Sequence, residues 1–319
     1  MSKKGVRVVG AGTCGLACAR QMLDCGFNVV LYERSAELGG LWVYHDDDFE
    51  GRASVMRTTI VNTSKEMSAS SDFPPPKELP NYMHNTEMLG YFRSYADHFG
   101  VTKNVKTRHD VVQVTPAANY DKTGRWDMLV RDLETNTDRP ETFDAVAVCV
   151  GHHVHPNVPY FKGQEKFRGR IVHTHSLKNA DSFRDRRVAV VGIGNSGGDA
   201  VVDISHVALE AYGLKPKHRY NAQHPTTNDA LPSLILSGIV RIKKNVAQFT
   251  EDGATPLDDV TLATGYQIKF PFLPKEVVSV VENQVQLYKY VFPPQLRHPS
   301  LAIIGLVQPV GGMFPVAEM

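Results

Sequence analysis

The chain has 319 residues, which at ~150 residues per domain corresponds to about two domains. Hydrophobic residues make up 42% and charged residues 22%, ordinary values that exclude a disordered or fibrous chain. Lys+Arg 35 against Asp+Glu 34 leaves a net charge of +1, which gives no electrostatic case for nucleic acid or an anionic membrane as partner. Four cysteines are too few for a disulfide framework in a chain of this length and fit a reducing compartment. The N-terminal MSKKGVRVVGAGTCGLACAR has no apolar signal core, and no apolar run reaches the ~18 residues of a membrane span. A soluble, intracellular protein is expected.

In chain order, the first forty residues read as a βαβ unit. Residues 6–9 form a short apolar strand, 10–15 a turn and 16–23 a helix, with a second apolar strand over 28–33. Such strands suit a parallel sheet covered on both faces. The proline-rich SSDFPPPKELP at 70–80 is a loop. Helical spacing returns over 87–99, with Met88, Phe92, Tyr95 and Phe99 on one stripe. Strands are expected at 111–114, 126–130 and 143–150. A second strand–turn–helix begins at Arg187, with VAVVG, the turn GIGNSGG and a helix opening over 199–204. Three further strands are expected at 260–263, 285–290 and 301–306. This order predicts an α/β fold of two nested dinucleotide-binding, Rossmann-like domains, the first interrupted by the second. The expected boundaries are 1–155 for the first part of the outer domain, 156–258 for the inserted domain and 259–319 for the return.

Gly10-Ala11-Gly12-Thr13-Cys14-Gly15 is a GxGxxG loop between strand and helix. Gly10 permits the tight turn, Gly12 lets the backbone approach a pyrophosphate, and Gly15 allows close helix–strand packing. The helix N-terminus offers N–H groups and a positive dipole end to the phosphates. Glu33 lies 23 residues after Gly10, at the end of the second strand, where it can accept from ribose hydroxyls. An acid there disfavours a ribose phosphate, so NAD or FAD fits and NADP does not. Gly39 and Gly40 let a second stretch of backbone pass close over the nucleotide, and Leu41 and Trp42 follow. Trp42 alone reads as core packing; placed after Glu33, GGLW favours FAD. The second loop, with Gly192, Gly194, Ser196, Gly197, Gly198 and Asp199, repeats the spacing. Two such loops in one chain point to a flavoprotein reduced by a nicotinamide nucleotide.

GAGTCGL, ELGGLW, VNTSKEM with SDFPPP, CVGHH, FRGRIVH, GIGNSGGD, GLKPKHR, LATGY, VFPP and LAIIGLVQP together make the chain resemble the flavin-containing monooxygenase family over essentially its whole length. The family pattern Phe-x-Gly-x-x-x-His-x-x-x-aromatic reads Phe167, Gly169, His173 and Leu177, the last position departing from it. The resemblance implies FAD and NADPH as cofactors, with O2 and a small soft nucleophile, an amine nitrogen or a sulfide, as substrates. It implies oxygen transfer through a flavin C4a-hydroperoxide. It makes Asn62 of VNTSK the catalytic residue beside flavin and nicotinamide, puts Thr63 with FAD and Val61 with NADPH, and gives NADPH to the second loop. It also implies the cytoplasmic face of the endoplasmic reticulum. The family's apolar C-terminal anchor is not in this sequence, which makes a cytosolic protein the other expectation, and an oligomer stays open.

Two departures stand against full activity. After the helix of the second loop, a dinucleotide fold needs another strand to carry the residues that grip the adenosine ribose and 2′-phosphate. Here ISHVALEAYGLKPKHRYNAQHP follows at once, with no apolar strand. Lys215, Lys217, His218 and Arg219 match a later family segment and cannot be given that job. The chain also ends at PVAEM, where a helix should begin. A shortened form is therefore expected, and a FAD-binding protein with little or no turnover stands as the alternative to an active monooxygenase. A disulfide reductase would need a cysteine pair at the flavin; Cys14 and Cys18, four apart, are expected to pack. His152, His153, His155, His173 and His175 lack the accompanying ligands of a closed zinc site, so no metal is expected.

Overall fold

The computed structural model describes residues 3–192, 194–211, 230–243, 246–250 and 257–306. In chain order the first elements are β1 (Gly5–Val9), α1 (Thr13–Asp24), β2 (Asn28–Tyr32), α2 (Asn85–His98), β3 (Val105–Lys106) and β4 (His109–Pro116). There follow α3 (Tyr120–Thr123), β5 (Trp126–Asp132), β6 (Thr137–Phe143), β7 (Ala145–Val148), β8 (His155–Pro156), β9 (Arg170–His173) and β10 (Val188–Val191). The last are α4 (Asn195–Ala211), α5 (Ala230–Leu236), β11 (Asp259–Leu262), β12 (Tyr266–Gln267) and β13 (Leu301–Ile303). The chain divides into two compact units: Met1–Val43 with Thr63–His155 and Gln267–Met319, and Tyr44–Asn62 with Pro156–Tyr266.

The first unit is built on a five-stranded parallel sheet of order β13-β7-β1-β2-β3. Its apolar strands bury Val8, Leu31, Val148 and Leu301 completely, as strands covered on both faces require. α1 buries Leu16, Ala17 and Ala19. α2 starts two residues earlier than its apolar stripe suggests because Glu87 reaches back to the His84 N–H at 2.8 Å, closing a capping box. A separate antiparallel sheet, β4-β5-β6, buries Trp126, Met128 and Val130 at every second position. These residues join Phe270, Leu273 and Val277 of the return segment in one apolar cluster.

Two expected strands of this unit are corrected. Residues 143–150 are not one strand: Phe143 ends the antiparallel ladder of β6, and Ala145 begins β7 in the parallel sheet. Residues 285–290 are not a strand either. They follow one tight turn and run into a second, closed by single bridges Val281–Gln284 and Tyr288–Phe292, with Glu282, Asn283, Lys289 and Tyr290 at positive φ. Such residues cannot continue a ladder.

The second unit carries a three-stranded parallel sheet of order β10-β11-β9. β11 is central and wholly buried, so residues 259–262 belong to this unit, and the return begins after Tyr266 rather than at 259. The segment Tyr44–Asn62, expected in the outer domain, also belongs here. α4 begins at Asn195, within the glycine turn, and runs well beyond the expected 199–204. Met56, Leu177, Phe183, Ala200 and Ile204 form one core cluster; Phe167, Phe249, Val260 and Leu262 form another. Among the described residues β10 has a neighbour on one side only, and all four of its residues are half-buried.

Candidate functional site: two dinucleotide loops

In the first unit β1 turns through Gly10 into α1. Gly10 has φ +98°, and a Cβ there would stand 2.6 Å from the Cys149 carbonyl oxygen; one at Gly15 would stand 1.8 Å from the Gly10 carbonyl oxygen. Both glycines are demanded by the chain itself. Gly12 is different: its added Cβ would meet only Gly40 Cα, at 3.4 Å, an ordinary contact. The protein's own packing therefore does not demand a glycine at position 12. α1 opens with Gly12 as its N-cap, with no capping side chain and no acid in its first turn, so the first N–H groups and the positive dipole end remain for an anion.

Glu33 is drawn to this loop. Its Oε2 accepts from the Ala11 N–H at 2.8 Å, and its Oε1 accepts from the Ser35 N–H at 2.8 Å and the Ser35 hydroxyl at 2.9 Å. A carboxylate has about four acceptor sites, so among the described residues Oε2 keeps one for a hydroxyl. The Gly39 N–H donates to the Ala11 carbonyl at 2.9 Å, laying Gly39 and Gly40 on the loop, and Leu41 and Trp42 follow, half-buried, in a single 3-10 turn. Gly10, Ala11, Gly12, Thr13, Cys14, Gly15 and Glu33 are thus one site, with Gly40 against it. Burial, aided by the nearby Cys18, pushes the Cys14 thiol up to about 12. It is a neutral packing thiol, not the thiolate that disulfide exchange needs.

The second unit repeats the loop. Gly192 has φ +117°, and a Cβ there would lie 2.2 Å from the Ala263 carbonyl oxygen; one at Gly197 would lie 2.4 Å from the Gly192 carbonyl oxygen, while one at Gly194 would meet nothing within 4 Å. The first turn of α4 holds no acid. Ser196 is exposed, Gly198 buried and Asp199 half-buried. Burial, then the charge of Asp203, pushes the Asp199 carboxyl up to about 6. Burial raises Asp203 as well, against the opposing effect of the Thr58 hydroxyl that donates to it. No described strand stands where β2 and Glu33 stand beside β1. Lys215, Lys217, His218 and Arg219 lie outside the described residues.

The remaining expected residues fall where the chain changes unit. Val61 is buried and Asn62 exposed at the end of the second unit's segment; the Thr63 hydroxyl, in the first unit, hydrogen-bonds with that of Ser68. The Phe167-to-His173 pattern has a structural explanation within the second unit. Phe167 packs edge-on against Phe249, and a Cβ at Gly169 would lie 2.4 Å from the Asp258 carbonyl oxygen. His173 Nε2 donates to the Gly265 carbonyl at 3.1 Å, and its Nδ1 accepts from the His175 N–H at 3.0 Å, joining the pattern to the ATGY turn. Leu177, at the aromatic position, is buried beside Met56, Phe183 and Ile204. Among the described residues no group of three or more His, Cys, Asp or Glu is placed to hold a metal. Sequence reasoning weighed His175 only as a metal ligand and missed its partners Asp48 and Arg52, which lie more than 120 residues away and carry no local signal.

Comparison with known proteins identifies the family. The flavin-binding monooxygenase-like family profile matches residues 3–211 and 208–319. The chain is 39% identical to "Flavin-containing monooxygenase 5" of Cavia porcellus, covering 100% of this chain and 72% of that protein. It is 34% identical to "Dimethylaniline monooxygenase [N-oxide-forming] 2" of Oryctolagus cuniculus, with the same coverage. Among solved structures, S-allyl-L-cysteine S-oxygenase from Allium sativum superposes with a TM-score of 0.78 at 25% identity, over 99% of this chain and 75% of that one. Both sequence alignments run over 387 positions, 68 more than this chain has residues. The family match breaks at 208–211, the end of α4, so the relatives carry a stretch that this chain lacks. The chain belongs to the flavin-binding monooxygenase-like family and to its class of NADPH-dependent flavin enzymes.

Proposed function

We propose that the chain binds FAD in the first unit and NADPH in the second, and oxygenates soft nucleophiles, an amine nitrogen or a sulfide sulfur. One observation carries this reading: each unit has a glycine turn whose middle glycine, Gly12 or Gly194, no packing within the chain requires, ahead of a helix with no acid in its first turn. The activities in the names of two similar proteins, N-oxide formation and S-oxygenation, support the substrate class. Bound flavin would supply the redox chemistry that activates O2. The chain's own work is to hold and orient. The N–H groups after Gly12 hold the FAD pyrophosphate, Glu33 accepts a ribose hydroxyl, and Leu41, Trp42 and Thr63 line the flavin nucleotide. Gly192, Gly194, Ser196, Gly197, Gly198 and Asp199, with Val61, hold NADPH, and the Asn62 amide donates to one cofactor and accepts from the other. The resemblance to the family, with four free cysteines, supports a place on the reducing, cytoplasmic side; no described helix is long and apolar enough to cross a membrane.

A second reading has its own observation. Among the described residues β10 has no neighbour on its outer side, and the relatives carry a stretch after α4 that this chain lacks; both favour a FAD-binding protein with little or no turnover. Anaerobic addition of NADPH to the FAD-loaded chain separates the two. Bleaching of the flavin band supports the monooxygenase; a band that persists at high NADPH supports the inert form. In a form that turns over, Asn62→Leu should leave bleaching intact and lower oxygenated product per NADPH consumed. An unchanged ratio would remove Asn62 from the reaction.

A further inference from the structure

The segment Tyr44–Asn62 contains no helix and no ladder strand, so side-chain and single backbone bonds set its place in the second unit. His175 is at the centre of them and is only 4% exposed. Its Nε2 donates to the Arg52 carbonyl at 2.7 Å, and its Nδ1 faces Asp48 Oδ1 at 3.1 Å. The Ser176 hydroxyl donates to the other oxygen of the same Asp48 carboxylate. Lys178, also buried, donates from Nζ to the Ser54 hydroxyl and, at 3.2 Å, to the His175 carbonyl. Further along, the Arg57 N–H donates to the Lys178 carbonyl at 2.9 Å, and the Thr58 hydroxyl donates to Asp203. Met56 is an apolar peg, buried among Leu177, Phe183, Ala200 and Ile204, and Val61 is buried as well.

Buried polar groups contribute little net stability when satisfied and cost heavily when orphaned. A strap held this way therefore has one allowed position. That position ends at Asn62, four residues beyond Thr58.

We propose that His175 is a positioning residue for the reaction: it holds the strap from Asp48 to Thr58 in register and so fixes where Asn62 meets the bound nucleotide. The inference rests on the reading of Asn62 as a cofactor contact. Hydrogen exchange on the FAD-loaded protein tests it, using His175→Ala and the milder, exposed-side variant Asp48→Ala, each with and without added NADP+. Both variants should speed exchange over residues 44–62 by about tenfold, the scale of one lost hydrogen bond, with peptides from β9 and β11 unchanged. In the wild type NADP+ should slow exchange of the peptide bearing Asn62; in both variants it should not. Asp48→Asn, which keeps an oxygen for His175 and Ser176, should restore that protection. Strap exchange that stays at the wild-type rate in both variants overturns the proposal. Protection of the Asn62 peptide in wild type and variants alike leaves Asn62 as a cofactor contact and removes His175 from its positioning. If NADP+ fails to protect even the wild-type peptide, the cofactor reading of Asn62 falls and the positioning role with it.

Discussion

The two glycine loops share one design and differ in what stands beside them. In each, the first and third glycines are forced by backbone carbonyls of the protein, and the middle one is not forced by any described neighbour. β1, however, has neighbours on both sides, and β2 delivers Glu33 to the Ala11 N–H. β10 has a described neighbour on one side only. A strand, a tight turn and a helix N-terminus are enough to offer a pyrophosphate site. Recognition of the adenosine ribose needs the next strand as well.

The sharpest way to break this comparison is to exchange the structural and ligand-facing glycines. Gly15→Ala places a carbon 1.8 Å from a carbonyl oxygen, a clash with backbone that no rotamer relieves. It should cost about 4 kcal/mol or more and yield little folded flavoprotein by thermal melting and absorbance. Gly197→Ala should damage the second unit in the same way. Gly12→Ala and Gly194→Ala should instead melt near the wild-type temperature. The first should lose FAD, and the second should lose NADP+ affinity in a titration. A Gly12→Ala protein that retains full flavin content would show that the loop does not hold the pyrophosphate.

These loops were legible in the sequence because everything in them is local. Strand, turn, helix and the acid at the end of β2 fall within the first 33 residues. What was not legible depends on distant partners. Tyr44–Asn62 looks like a continuation of the first unit, but Asp48, Arg52 and Met56 find partners between residues 175 and 204. The apolar run at 143–150 looks like one strand, but Asp144 accepts from the Gly5 N–H at 2.7 Å, and the chain changes sheets across it. At 285–290 the alternation is real, but residues at positive φ just before it and at its end turn it away from any ladder. Asp259 was expected in the return because it opens a strand before ATGY. Its burial between Arg170 and Arg186 keeps it in the second unit.

The loops also differ one turn into their helices, where the second unit has Asp199 and the first has Ala17, fully buried. The folded-state value of Asp199, about 6, lies above the ordinary carboxylate range of ~4. Between those values the folded state binds the extra proton, so stability falls as pH rises through the window and levels off above it. About two pH units correspond to about 3 kcal/mol at most, and partial solvent access reduces this to about 2. Asp199→Asn should therefore stabilise the protein at pH 7.5 by about that amount and much less at pH 4.5, measured by urea unfolding. Equal effects at both pH values would show that the carboxyl is solvated.

The smallest expected effect tests the difference between the loops most directly. Gly194 and the N-terminus of α4 leave NADPH a pyrophosphate site, but the 2′-phosphate is the only difference between NADPH and NADH, and no described strand beside β10 brings a cation to it. A charge-assisted contact to that phosphate is worth ~1.5–3 kcal/mol, so its loss removes roughly tenfold or more in selectivity. Anaerobic stopped-flow reduction of the FAD-loaded chain should be weak with both nucleotides, with rates at equal subsaturating concentration within a factor of about ten. Tight reduction with strong preference for NADPH would mean that cations outside the described residues, Lys215 to Arg219 foremost, recognise the 2′-phosphate. The alanine variants of those four residues would then lose the preference while keeping their flavin. A ratio near one that survives those variants would confine nucleotide recognition to the turn and helix alone.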